Sequence, residues 1–335
     1  MKQIRVLVLT DHSGHSRENS IYALISEMVA HESCQELYVA SRGNAKNKNF
    51  FSGLNDCILQ AMRVEGTFMF DASGDQFISE THTVHVREFD FIFLRLPRPV
   101  SDEFLHFIKK IDGEKVIIND PTGIMTCSTK EFLLNFPDLC PPMRLCHTVE
   151  DVSTFLPGQS IVLKPLREYG GKGLVKITGD TLDDGDQLHD TRSYLEENKS
   201  TLAEGYLAMK YLKNVTEGDK RIIVVGGEIM ACSLRLPPPD SWVCNVARGG
   251  TSVSTSATPE EESIIKHINP LLQKHGIFIY GADTLVNDEG KRVLSEINTL
   301  SIGGFPQAQK QTGQPIIKIT INKIFDHIHN ACKKK

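Results

Sequence analysis

No stretch of this 335-residue chain approaches the roughly 20 consecutive apolar residues that a membrane span needs. The apolar run in MKQIRVLVLT is too short for a signal-peptide core and continues into a polar loop. It reads as a first buried strand, and the protein as cytoplasmic. Cysteine is present but unpatterned. The eight residues (Cys34, Cys57, Cys127, Cys140, Cys146, Cys232, Cys244 and Cys332) show no CxxC spacing, which argues against a zinc framework and for reduced core thiols over disulfides. An excess of one charge is missing too. The formal charge is −5, with both signs spread along the chain, so no electrostatic binding to nucleic acid or a membrane is expected. There is no internal repeat, no low-complexity tract and no GxxxxGK(S/T) phosphate loop. Nor do the Cys, Ser and His residues form a nucleophile–base arrangement.

What is present is a chain long enough for a sizeable core and two or three subdomains. Residues 4–10 are a short apolar run ending in the polar loop 11–16. A helix at about 18–31 follows, with Ile21, Leu24, Ile25 and Met28 on one face, and then a strand at 37–40. That order begins an open, mostly parallel α/β sheet. Residues 42–49 are polar and read as a flexible surface loop. Residues 89–96, FDFIFLRL, form a buried strand that delivers Arg95 at its carboxyl end, where open α/β sheets bind ligands. A structural Arg paired with an acid is the equal alternative. Ser101-Asp102-Glu103 caps a helix, 116–119 is a strand, and Asp120-Pro121 places a domain boundary near Thr122.

Lys130 opens a short helix, 130–136, that Pro137 stops. Residues 161–165, IVLKP, are a strand ending in Lys164-Pro165. The glycine-rich turn Arg167-Glu168-Tyr169-Gly170-Gly171-Lys172-Gly173 follows, and a strand resumes at 174–177. Such glycines let backbone N–H groups approach phosphate oxygens closely, although an ordinary hairpin looks the same. Residues 178–200 read as a polar surface connection that becomes helical, and 204–212 as a strand running into a connecting segment. Gly218-Asp219-Lys220-Arg221 enters a hairpin whose strands, 222–225 and 229–236, meet at Gly226-Gly227, with Arg235 at the far end. Residues 240–257 are small and polar, expected to be mobile until a ligand orders them. Thr258-Pro259-Glu260-Glu261 starts a helix to about His275, with Ile264, Ile268, Leu271 and Leu272 inward. Residues 315–331 form a last amphipathic helix.

The stretch 280–304, YGADTLVNDEGKRVLSEINTLSIGG, organises the rest. A strand at 277–286 and another at 292–297 flank the turn 287–290. Asp283 stands on the outgoing strand, Glu296 and Asn298 on the return. Two apart on an extended chain, Glu296 and Asn298 share one face while Ile297 points to the core, and a hairpin can bring Asp283 level with them. Two carboxylates and an amide carbonyl suit Mg²⁺, or Mn²⁺, a hard cation often shared with substrate phosphates. Taken alone, the triplet is as readily a solvated strand face with an incidental acid.

Read in order, these segments resemble the ATP-grasp superfamily and, within it, the prokaryotic glutathione synthetases. The similarity runs from about Ile117 to Ile324. It is strongest in KPL-x-x-x-GG-x-G (164–173), EGDKRIIVVGGE (217–228), ARGG (247–250) and EIN (296–298), and is thinner before residue 117. It implies an α/β (α+β) fold in three parts: an N-terminal open α/β domain (1–122), a small lid (123–203) and a C-terminal antiparallel-sheet part (204–335), with ATP clasped between the last two. Lys130 and Lys164 would contact ATP phosphates, and Gly170, Gly171 and Gly173 would form a lid loop. Lys210, Tyr211 and Leu212 would border the adenine, the first and third through backbone groups, and Asp219 would face the ribose. Arg235 would stabilise an acyl phosphate, shielded by the loop that carries Arg248, Gly249 and Gly250. Asp283, Glu296 and Asn298 would hold Mg²⁺. Ser301, Gly303 and Gly304 would cradle the acceptor carboxylate, with Ser20 and Arg95 near the acyl donor.

This chain departs from the family pattern in two places besides its N-terminal domain. Met209 stands where the family often has Glu or Gln, and Arg248 where many members have a small or uncharged residue. The activity implied is ATP-dependent ligation of γ-glutamylcysteine to glycine by a homodimer or homotetramer. A ligase joining another donor and amino acid, and a non-catalytic ATP-binding protein, are the alternatives.

Overall fold

The computed structural model describes residues 2–111, 113, 115–155, 157–168, 171–238, 242 and 251–333. Their strands form three sheets. The first takes in β1 (Ile4–Thr10), α1 (Ser20–Val29), β2 (Cys34–Ser41), α2 (Lys48–Phe51), β3 (Ile58–Arg63), β4 (His82–His85), β5 (Phe91–Leu94), α3 (Asp102–Ile111) and β6 (Val116–Ile118). Its order is β4-β3-β2-β1-β5-β6, parallel from β2 to β6, with β3 and β4 antiparallel at one edge. β1 is apolar almost throughout because both of its faces are covered. Val6 and Val8 join the core that contains Ile21, Leu24, Ile25 and Met28 of α1. Leu7 and Leu9 face Phe104, Leu105 and Ile108 of α3.

The segment expected to be a flexible loop at 42–49 is instead anchored. Asn44 and Asn47 are buried. Asn44 donates to the Phe77 carbonyl (2.9 Å), and Asn47 bonds both the N–H and C=O of Gln60 (2.7 and 2.9 Å). Polar composition misled here, because these amides replace missing backbone partners inside the fold.

The second sheet follows α4 (Pro121–Cys127) and a 3-10 helix, Lys130–Asn135, at the place of the short helix read at 130–136. It comprises β7 (Met143–Cys146), α5 (Val149–Ser153), β8 (Ile161–Pro165), β9 (Val175–Thr178), β10 (Thr181–Asp183), β11 (Leu188–Asp190), α6 (Thr191–Glu197), α7 (Lys199–Ala203) and β12 (Tyr206–Lys210), ordered β11-β10-β9-β8-β12-β7. The stretch 178–200 is thus more than a connection: β10 and β11 extend the sheet, and Leu182 is buried in its core. β12, beyond the boundary read at 203, also hydrogen-bonds into this sheet.

The third sheet contains β13 (Asp219–Val225), β14 (Glu228–Leu236), β15 (Thr251–Thr255), α8 (Pro259–Lys274), β16 (Ile279–Val286) and β17 (Arg292–Asn298). Its order is β15-β14-β13-β16-β17, antiparallel throughout. β15 falls within the stretch expected to be mobile, and residues 239–241 and 243–250 lie outside the described residues. Alternation divides β13 cleanly. Ile222 and Val224 pack with Ile264, Ile268 and Leu272 of α8. Ile223 and Val225 pack with α9 (Phe305–Thr312), which sequence reading missed, and α10 (Ile316–Lys333). Asp219 and Arg221 share the face of Ile223 and Val225, at the strand's opening end. The Asn119 side chain joins the first sheet to the third, donating to the carbonyls of Ile279 and Thr299 (2.6 Å each) and accepting from the N–H groups of Phe278 and Ile279 (2.7 and 2.9 Å).

Candidate active site

One row of charge crosses the third sheet. Asp219 pairs with Arg235 of β14; Arg221 pairs with Asp283 of β16, which pairs with Glu296 of β17. The register shifts just after Asp283, so that Thr284 partners Leu294, and Ser295 donates to the Asp283 carbonyl at 3.1 Å. Asn298, two beyond Glu296, rejoins the same face.

The bonds along the row are short and charge-assisted. Arg221 grips both Asp283 oxygens, Nε to Oδ1 at 2.5 Å and Nη2 to Oδ2 at 2.6 Å. Arg235 grips Asp219 at 2.6 Å twice and reaches Asp283 Oδ2 at 2.8 Å. Asn298 Nδ2 lies 3.4 Å from the same oxygen. Asp283 is 2% exposed. Burial alone would raise its carboxyl pKa, yet the two guanidiniums hold it well below the usual carboxylate range. Asp219 moves the opposite way, pushed up by burial and by the charge of Asp283 despite Arg235. Behind the sheet, Glu261 accepts from Lys220 (2.7 Å) and from Thr284 (2.6 Å), and so holds the intervening residues of β13 and β16.

The second sheet supplies the facing wall. Lys164, near the end of β8, reaches the Ser295 carbonyl at 3.3 Å, and Lys130 donates to the Glu168 carbonyl. Burial lowers the pKa of both lysines, Lys130 to about 8, against the pull of Glu296. Desolvated ammonium groups of this kind gain most from an anionic ligand. A cleft of about 340 Å³ lies between the walls. Its lining includes the charged and polar Lys130, Lys164, Asp219, Arg221, Arg235, Asp283, Glu296 and Asn298. It also includes the apolar Val162, Leu174, Met209, Leu212 and Leu285, with Tyr211 and Trp242. Gly171 also lines it, whereas Gly173 packs against Pro165. Lys210 contributes to the lining while its ammonium pairs with Asp288 at 2.8 Å. Gly170, Arg248, Gly249 and Gly250 lie outside the described residues.

The remaining expected site residues form a second group that does not line this cleft. Arg95 Nη2 donates to the Ile302 carbonyl (2.8 Å), Ser301 Oγ to the Leu96 carbonyl (2.5 Å), and the Phe305 N–H to Ser20 Oγ (3.3 Å). A Cβ on Gly303 would lie 3.9 Å from Ser20 Oγ, and Gly304 has φ +94°. Arg95 is 6% exposed, burial draws its pKa down to about 10, and its Nε has no partner among the described residues. Nearby, the His15 ring bonds Thr10 (3.1 Å) and Tyr22 (2.8 Å), and burial pulls its pKa to about 4.

Sequence reading passed over Arg221, Trp242 and Asn119 as functional or joining residues. For Arg221 a signal existed: in Asp219-Lys220-Arg221 on a strand, the first and third side chains share a face. Asn119 and Trp242 carry no comparable local pattern.

The fold has solved counterparts among synthetases and ligases. The D-cycloserine synthetase DcsG superposes with TM-score 0.66 at 11% identity, covering 97% of this chain and 99% of that one. The D-alanyl-alanine synthetase A of Vibrio cholerae gives 0.60 at 12% identity over 98% and 100%. The ATP-grasp ligase PsnB, complexed with minimal precursor, Mg and ADP, gives 0.57 at 12% identity over 96% and 98%. The fold is that of the ATP-grasp ligases. Residues 129–313 match the family model described as the prokaryotic glutathione synthetase ATP-grasp domain, and the chain belongs to that family. Glutathione synthetases of Brucella melitensis (30% identical, covering 78% of this chain and 82% of the relative) and Rhodopseudomonas palustris (26%, covering 91% and 92%) are similar to it.

Proposed function

We propose that this chain is an ATP-dependent carbon–nitrogen ligase that joins γ-glutamylcysteine to glycine. One observation carries the reading: the row Arg235–Asp219–Arg221–Asp283–Glu296 faces Lys130 and Lys164 across a single cleft. Such a ligase first converts a carboxylate to an acyl phosphate, which the amine then attacks. Bringing a carboxylate against a γ-phosphate requires placed positive charge rather than a nucleophilic side chain. Lys130, Lys164 and Arg235 supply that charge. The apolar part of the lining, bordered by Lys210, Tyr211 and Leu212, accommodates the adenine. Arg95, Ser20, Ser301, Gly303 and Gly304 serve the donor and the acceptor.

Asp283, Glu296 and Asn298 make an all-oxygen set that fits a hard divalent ion. Asp283 Oδ2 already accepts from both Arg221 and Arg235, so Oδ1, which takes a single guanidinium bond, keeps the free lone pair, and Asn298 directs its NH₂ at Asp283, leaving its carbonyl oxygen as the ligating atom. Mg²⁺ held there would neutralise phosphate charge.

The test is ADP release by the purified protein with ATP and Mg²⁺ across a panel of donors and acceptors. Release that requires both γ-glutamylcysteine and glycine is expected. Release only with another pair would assign a different ligase activity, and release with none would overturn the reading.

A further inference from the structure

The chain has one tryptophan, Trp242. It follows β14 in the chain and lines the cleft together with Tyr211. Its polar and ring contacts run to the wall formed by the second sheet. The indole Nε1 donates to Asp183 Oδ2 at 3.0 Å. Its ring meets Tyr211 edge-on, with centroids 6.4 Å apart. Lys176 Nζ lies 5.6 Å from the Trp242 centroid and 5.2 Å from that of Tyr211. Lys176 and Asp183 are register partners on β9 and β10 and pair at 3.6 Å. All three partners therefore belong to the second sheet or the segment leaving it.

We infer that Trp242, held against the second-sheet wall by Asp183, Lys176 and Tyr211, is a positioning residue that shapes the cleft beside Tyr211 and thereby strengthens nucleotide binding. This rests on reading the cleft as the nucleotide site. Trp242 is only partly buried and belongs to none of the three hydrophobic cores, so filling a core does not account for it. A large ring with one polar handle suits a rim where one side is apolar and the other wet. The ammonium over both rings adds attraction that an aliphatic side chain could not provide. A ring already held on the wall by Asp183 and Lys176 leaves less side-chain ordering for binding.

The experiment uses the full chain as wild type, Trp242→Phe, Trp242→Ala, Asp183→Asn and the Trp242→Phe/Asp183→Asn double variant. Mg·ADP binding is measured by calorimetry, and wild-type emission, which comes from Trp242 alone, is followed during the same titration. The emission should move with saturation. Trp242→Ala should weaken binding and raise the KM for ATP about fivefold, leaving kcat within about twofold, as loss of uniform binding requires. Trp242→Phe and Asp183→Asn should each weaken binding by about twofold, and the double variant no further, because both changes remove one bond. Trp242→Phe keeps the ring, so the test survives a poorly folded Trp242→Ala. Unmoved emission with equal binding by all variants overturns the proposal while leaving the cleft as the nucleotide site. No binding by wild type overturns both.

Discussion

Arg221 and Asp283 stand opposite each other on β13 and β16, joined by two parallel N–H···O bonds of 2.5 and 2.6 Å. Removing one partner of a buried pair leaves the other charge uncompensated, at a cost of about 3–5 kcal/mol. Arg235 still reaches Asp283, so Arg221→Met should lower the unfolding free energy in urea by about 3 kcal/mol. Arg221→Lys keeps the charge but loses the fork, and should fall between that variant and wild type. An unchanged urea midpoint for Arg221→Met would show that the pair contributes no stability.

Lys164 and Glu296 approach the cleft from different sheets, and neither supports a helix or a core. Lys164→Ala and Glu296→Ala should stay folded by circular dichroism and lose roughly 10²–10³-fold in turnover. Chelation by EDTA should abolish wild-type activity. Raising Mg²⁺ should recover part of the loss in Glu296→Ala and none in Lys164→Ala. Full nucleotide-dependent turnover in either variant would refute the assigned site.

Asn119 satisfies backbone groups from two segments of the third sheet with one amide. Its loss strands buried donors and acceptors, each costing about 1–3 kcal/mol. Asn119→Ala should therefore destabilise by about 3 kcal/mol or more, read from chemical unfolding. A shift under half of that would mean water substitutes for the amide.

His15 is held neutral, its pKa drawn from 6.5 to about 4 by burial, with His12 and Arg95 adding to the effect and Asp11 opposing it. Between those values the unfolded chain takes up a proton that the folded chain refuses. The stability from the neutral ring is thus complete above pH 6.5 and is lost as pH falls toward 4. Thermal midpoints of wild type should drop over that window, and those of His15→Gln should drop less. Parallel curves would place the acid sensitivity elsewhere.

Local pattern went far in this chain. Period-two alternation placed Glu296 and Asn298 on one face, and the register pairs Asp283 with Glu296. Thr258-Pro259 marked the start of α8, where Thr258 and Glu261 form a reciprocal cap. Short polar segments were read less well. Residues 42–49 looked mobile because Asn44 and Asn47 are polar, and 178–200 looked like a connection because β10 and β11 each span 3 residues. The partners of Asn44 and Asn47, Phe77 and Gln60, lie outside the segment, whereas β10 pairs with its immediate neighbours β9 and β11 and was missed because so short a run shows no clear alternation.

The strands that carry the candidate site, the order of the charged motifs and the family follow from the amino-acid sequence, because backbone alternation and turn chemistry act over a few residues. Tertiary structure alone decided that Arg221 grips Asp283, that Asn119 joins two sheets and that Trp242 reaches Asp183. Each of those contacts links strands or segments at least 59 residues apart, and such a meeting depends on how sheets pack, which no local periodicity encodes.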